Sequence, residues 1–102
     1  MELTSAYKQQ LKAIGHKLKA IITVADKGIS ENIDKEIERA LEDHELIKIR
    51  LSVADRTLRR ELADSISAQH NAQVVQRIGN IALLFRPAKK PKPKLSNLLR
   101  TL

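Results

Sequence analysis

Residues 20–31, AIITVADKGISE, decide the fold. Ala20-Ile21-Ile22-Thr23-Val24 is a short β-branched run, which reads as a buried strand. Ala25-Asp26-Lys27-Gly28 follows as a tight polar turn. Ser30 is a good N-cap, and Glu31 suits the first turn of a helix electrostatically. Beyond it Ile33, Ile37, Ala40, Leu41 and His44 share one helical face, with Glu31, Asp34, Lys35, Glu38, Arg39 and Glu42 opposite. A second strand comes next, alternating Ile47, Ile49 and Leu51 against Lys48 and Arg50. Strand, crossover helix and strand imply a parallel, right-handed unit.

The pattern extends outward on both sides. Upstream, Leu3, Tyr7, Leu11, Ile14 and Leu18 recur at helical spacing, with Thr4 or Ser5 as the cap and Gly15 at the end. Lys8, Lys12 and Lys19 fall away from that stripe, on the side expected to be wet. Downstream, Asp55 caps a third helix in which Leu58, Leu62 and Ile66 repeat every four residues, running out near His70-Asn71. Residues 74–78 and 81–85 read as two strands joined by the two-residue turn Gly79-Asn80. Pro87, Pro91 and Pro93 end regular structure, each lacking an N–H and fixing φ. The expected fold is α/β, in the order α-β-α-β-α-β-β, with a four-stranded mixed sheet packed by three helices. The expected division is a body over residues 1–87 and a basic Pro/Lys/Leu tail over 88–102.

Composition narrows the function. With 102 residues the chain fits one domain, since half that length would bury too little core. Tyr7 and Phe85 are the only aromatics, which excludes a face of several base-stacking rings. Cysteine is absent, so there is no disulfide, thiolate nucleophile or Cys-ligated zinc. The start, MELTSAYKQQ, has no secretory pattern and no apolar run is long enough for a span, so a cytoplasmic protein without membrane partners is expected.

Charge is unevenly spread. Residues 1–85 carry 13 Lys and Arg against 12 Asp and Glu, whereas residues 86–102 carry six cations and no acid. A near-neutral body with a basic tail suggests a polyanionic partner, nucleic acid or an anionic membrane surface, over a merely solubilising tail. In that tail Leu95, Leu98, Leu99 and Leu102 follow helical spacing. An amphipathic turn there would dock on the domain, a partner or a membrane; its length argues for docking back or for disorder.

Catalytic arrangements are missing. His16, His44 and His70 are scattered, and Lys48 stands where a zincin motif beginning at His44-Glu45 needs its second histidine. Ser5-Ala6-Tyr7-Lys8 matches Ser-x-x-Lys without its supporting elements, and no phosphate or dinucleotide fingerprint is present. No enzyme activity, metal or cofactor is expected.

The turn at Ala25–Gly28 places backbone N–H groups of a helix start beside Lys27, an arrangement that favours an anion. A glycine there lets a sugar-phosphate backbone come close, although an ordinary strand-to-helix turn has the same composition. Around this turn the sequence resembles the YhbY-like, single-domain form of the CRM (chloroplast RNA splicing and ribosome maturation) family. The resemblance covers about residues 3–87. It rests on Leu11-Lys12, His16-x-Leu18-Lys19, Gly28-Ile29-Ser30-Glu31, His44-Glu45-Leu46-Ile47-Lys48, Asp55-Arg56, Gln76-x-Ile78-Gly79 and Phe85-Arg86-Pro87.

The resemblance implies a fold similar to the C-terminal domain of translation initiation factor 3. It also implies a role as a ribosome assembly factor, binding structured RNA in precursors of the large subunit. Apart from the resemblance, a monomer is expected. The candidate RNA-binding residues are Lys8, Lys12, Lys19, Ala25, Asp26, Lys27, Gly28, Arg56, Arg86, Lys89 and Lys90. Two departures stand out. Ala25 replaces the first glycine of the family's Gly-x-x-Gly loop, which weakens the clamp if that position needs positive φ and costs little if it is a strand end. The basic tail is the other departure. Competing readings are a protein-interaction adaptor using the Leu-rich tail and a general nucleic-acid binder.

Overall fold

The computed structural model describes residues 2–25 and 27–100. Its elements are α1 (Ser5–Gly15), β1 (Ala20–Ala25), α2 (Glu31–His44), β2 (Leu46–Ser52), α3 (Arg56–Gln69), β3 (Gln73–Ile78) and β4 (Ile81–Phe85), in the expected order. Each helix starts at a side-chain cap. Thr4 accepts from the N–H of Tyr7, Ser30 from that of Ile33, and Asp55 from those of Thr57 and Leu58.

The strands form one mixed sheet in the order β1-β2-β4-β3. β1 runs parallel to β2, with Val24 opposite Leu51, while β4 lies antiparallel to both its neighbours. β4 therefore sits inside the sheet, which explains why Ala82, Leu83, Leu84 and Phe85 are all buried.

The two sheet faces are covered differently. Ile22, Val24, Ile47, Ile49, Leu51, Ala82 and Leu84 meet α2 and α3, through Ile37, Ala40, Leu41, Ala63 and Ile66. Leu46, Val75, Leu83 and Phe85 meet Leu11 of α1, with Leu3, Tyr7, Ile14 and Leu18 packed alongside. Complete burial of a leucine such as Leu11 contributes roughly 2 kcal/mol.

Gly15 ends α1 as expected, without positive φ; a Cβ there would stand 2.6 Å from Leu83 Cδ2, so the residue is small because α1 presses on the sheet. Other expectations need correction. Leu58 remains 39% exposed. A strict four-residue repeat drifts by roughly 40° per step around a helix, so the buried face of α3 moves to Ala63, Ile66 and Ser67. Lys8 and Lys12 are half-buried rather than fully wet, as flanking neighbours of Tyr7 and Leu11 whose stems lie beside the apolar stripe.

The chain after Pro87 docks back on the domain, one of the two states expected for its leucine stripe. It packs against the body: Ser96 is fully buried, Asn97 is buried, and Leu98 joins the α1 cluster. Asn97 donates from its side chain to Leu46 O (2.7 Å) and from its backbone to His44 O (2.9 Å). The Glu45 carboxylate accepts from Ser96 Oγ and from Ala88 N, both at 2.8 Å. Glu45 has φ 62°, a strained conformation for a residue with a side chain, and that geometry holds its buried carboxylate against the returning chain. Leu102 of the expected leucine stripe lies outside the described residues.

Candidate nucleic-acid interface

Parallel pairing of β1 and β2 brings three connections to one end of the sheet. Ala25 is opposite Ser52, and Leu51 N donates to Asn80 O (2.7 Å). The β1–α2 loop, the start of α3 and the β3–β4 turn are therefore neighbours there.

In the loop, Gly28 N donates to Ala25 O (2.9 Å). Gly28 has φ 79°, and nothing lies within 4 Å of where its Cβ would be. The conformation calls for glycine, and the backbone above it is open. Ala25 is the last residue of β1 and does not have positive φ, so alanine fits the backbone. Lys27 is exposed; Asp26 lies outside the described residues. The start of α2 carries less positive potential than expected. Ser30 already takes the Ile33 N–H, and Glu31 and Asp34 occupy the first turn.

Arg56 is exposed at the start of α3. Three further arginines, not expected from the sequence, join it: Arg59, Arg60 and Arg77 line a cleft of about 420 Å³ between α3 and the β3–β4 hairpin. The i, i+3, i+4 spacing of Arg56, Arg59 and Arg60 was legible as one helix face. Arg77 required knowledge of the hairpin's register.

Of the other candidate residues, Lys8 and Lys12 lie along α1, and Lys19, Arg86, Lys89 and Lys90 lie towards the opposite end of the sheet. Lys19 lies with Lys17, Lys48 and Arg100 around a groove of about 310 Å³. Arg100 is steadied there by Asn97, whose Oδ1 accepts from its Nε at 2.9 Å. Lys89 and Lys90 have exposed side chains, while their backbone N–H groups donate to Glu42 Oε2 at 3.1 and 3.4 Å.

Arg86 is placed differently from a phosphate ligand. Its side chain is only 15% exposed, and its guanidinium donates to Glu38 (2.8 Å), Glu42 (3.3 Å) and His70 O (3.2 Å). Glu38 also meets His70 Nδ1 at 2.9 Å, and Asp34 meets His70 Nε2 at 2.8 Å. The hydrogen bond from Arg86, then that from His70, hold the Glu38 carboxyl down at about 2. Lys92 pairs with Asp43 and lowers its pKa likewise. These carboxylates on α2 occupy Arg86 and Lys92 internally.

Among the described residues there is no group of three or more His, Cys, Asp or Glu placed to hold a metal ion, and no helix long and apolar enough to cross a membrane. Tyr7 and Phe85 are spent on each other, edge to face at 5.8 Å between ring centres. The arrangement is that of a small α/β binding domain with basic side chains at both ends of one sheet.

Residues 3–86 match the model of the CRS1/YhbY (CRM) domain, and the chain belongs to that family. It is 48% identical over 100 residues to a protein of Pseudomonas aeruginosa named a probable RNA-binding protein, covering 98% of this chain and 96% of that one. That coverage takes in the segment after Pro87, which is thus shared with a relative. An RNA-binding protein of Haemophilus influenzae is 37% identical over 93 residues, covering 91% of this chain and 94% of its own. The solution structure of a hypothetical protein from Staphylococcus aureus superimposes with a TM-score of 0.73 at 32% identity, covering 87% of this chain and 93% of that one. The names of the relatives are those of RNA-binding proteins, not of enzymes.

Proposed function

We propose that this chain is a cytoplasmic RNA-binding protein that acts on structured ribosomal RNA in precursors of the large ribosomal subunit. One observation carries the reading. At the loop end of the sheet, Lys27, Arg56 and Arg60 are exposed and none pairs with a described carboxylate, whereas Arg86 and Lys92 are matched by acids on α2. Unmatched cations beside an open glycine backbone suit the sugar-phosphate chain, which dominates nucleic-acid affinity. With no free aromatic platform, recognition rests on backbone and shape, which favours folded RNA over extended single strands. Kinship with named RNA-binding proteins supports the ligand class. The large-subunit assignment comes from the family resemblance.

Titrating a structured ribosomal RNA fragment at several salt concentrations tests the first part. Neutralising about five phosphates gives a slope of log K against log[salt] of about −3.5 to −4.5. A flat response removes electrostatics as the source of affinity, and equal affinity for matched duplex DNA favours a general nucleic-acid binder. Sedimenting cell lysate through sucrose at low and high salt tests the second part, with low-salt co-migration with large-subunit precursors expected.

A further inference from the structure

We infer that the cleft between α3 and the β3–β4 hairpin seats a backbone phosphate of the bound RNA, held by Arg56, Arg59 and Arg60, with Arg77 lining the far wall. The inference rests on the RNA-binding reading and adds to it a second contact, away from the glycine loop.

The side chains around the cleft are arranged before any ligand arrives. Arg59 is half-buried, and its Nη1 donates to Val53 O (2.9 Å) and Ala54 O (3.3 Å), fixing the guanidinium plane. Its buried Nε has no hydrogen-bond partner among the described residues. A half-buried guanidinium with a shielded Nε, compensated by two carbonyls and no carboxylate, leaves positive charge uncancelled, which an adjacent anion relieves. Arg77, on the hairpin side of the cleft, is paired with Asp64 of α3, so it fixes the wall and adds no unmatched charge. Arg56 and Arg60, exposed on the helix side, pair with no described carboxylate. Asp55 is turned away to cap Thr57 N and Leu58 N, so it does not oppose them.

The floor favours the same ligand. Leu51, Ala63, Ile81 and Ala82 give apolar walls, which strengthen the field of the arginines above them. The planar guanidinium fork matches phosphate oxygens two at a time, and several forks converging suit a phosphodiester better than a single carboxylate. Position agrees as well. β3 lies three strand spacings from β1, roughly 14 Å. An RNA strand crossing the end of the sheet from the Lys27–Gly28 loop reaches the cleft within a few nucleotides.

The test uses the full chain and one structured ribosomal RNA fragment, comparing the parent with Arg56→Gln/Arg60→Gln and, separately, Lys27→Glu. Both altered arginines are exposed, so the double variant should unfold like the parent. Its affinity should drop about tenfold, and its salt slope should shrink by about 1 for the lost phosphate. The Arg59 Nε–H resonance of the parent should shift on adding RNA, and also on adding inorganic phosphate alone. If the double variant keeps the parental affinity and slope while Lys27→Glu weakens binding, the cleft assignment fails and the RNA reading stands. If the parent does not bind RNA, the RNA reading fails. The phosphate titration then judges the cleft alone, and an unmoved Arg59 resonance overturns it.

Discussion

The two ends of the sheet carry the same kinds of cation, and part of the set at one end is matched by acids while the set beside the glycine loop is not. At the end where β2 begins, Arg86 and Lys92 are matched by Glu38, Glu42 and Asp43, and the chain after Pro87 is tied down by Glu45. At the end where β1 and β2 finish, Lys27, Arg56 and Arg60 face solvent without a described acid. A tally of charge along the sequence puts the basic surplus in the tail. The folded chain spends part of that surplus on structure and leaves its loop end uncovered. A cation's position relative to the acids of α2, more than its place in a basic run, decides whether it is available to a ligand.

Removing the chain after Pro87 should break the comparison most severely. The hydrogen bonds of Ser96 and Asn97 and the packing of Leu98 disappear together. A loss of about 2–4 kcal/mol is expected, read as a lower urea midpoint. An unchanged midpoint would return the segment to the status of a detachable tail.

Gly28→Val comes next. A β-branched residue at φ 79° should cost about 1–2 kcal/mol and obstruct the open backbone, so stability and RNA affinity fall together. Lys27→Glu separates the two effects: affinity should drop several-fold while the thermal midpoint stays put, because the side chain is exposed. Ala25→Gly should leave RNA affinity unchanged and lower stability by about 0.5–1 kcal/mol, because residue 25 is a strand end. Tighter binding by that variant would mean that the first loop position itself contacts RNA.

Acid should produce the smallest effect. Glu38 lies at about 2 in the folded chain against an ordinary 4.5, so its contribution is complete above about pH 4.5 and is lost as pH falls towards 2. Because Glu38 is 53% exposed, solvent screening keeps that contribution small. Glu38→Gln should flatten the pH dependence of the urea midpoint over that window. A variant retaining the full parental acid slope would assign it to other carboxylates, Asp43 foremost.

Local signals carried much of the fold. Caps at Ser30 and Asp55, the stripe on α1 and the Gly79-Asn80 hairpin are short-range features, and each element stands where its own residues place it. Partners across the chain were not legible. Ser96 and Asn97 are polar and carry no local signal of burial, yet their hydrogen bonds to Glu45 and Leu46 O make burial tolerable. Arg86 read as a ligand for RNA because nothing in its neighbourhood reveals Glu38, 48 residues earlier. The loop with exposed Lys27 and positive-φ Gly28 was legible because strand, turn and cap adjoin in sequence. Arg77 was missed because only strand pairing brings it to α3.

The strand order has a consequence for synthesis. β4 lies between β2 and β3, so the sheet is completed by a segment that leaves the translating ribosome after every other strand. A nascent chain that has emerged only to residue 80 has β1 and β2 available to pair, but the opposite edge of β2 is bare, with Ile47, Ile49 and Leu51 nearby. Such an edge invites pairing with another chain. The protein's exposure to aggregation is thus concentrated in the brief interval before residues 81–85 arrive.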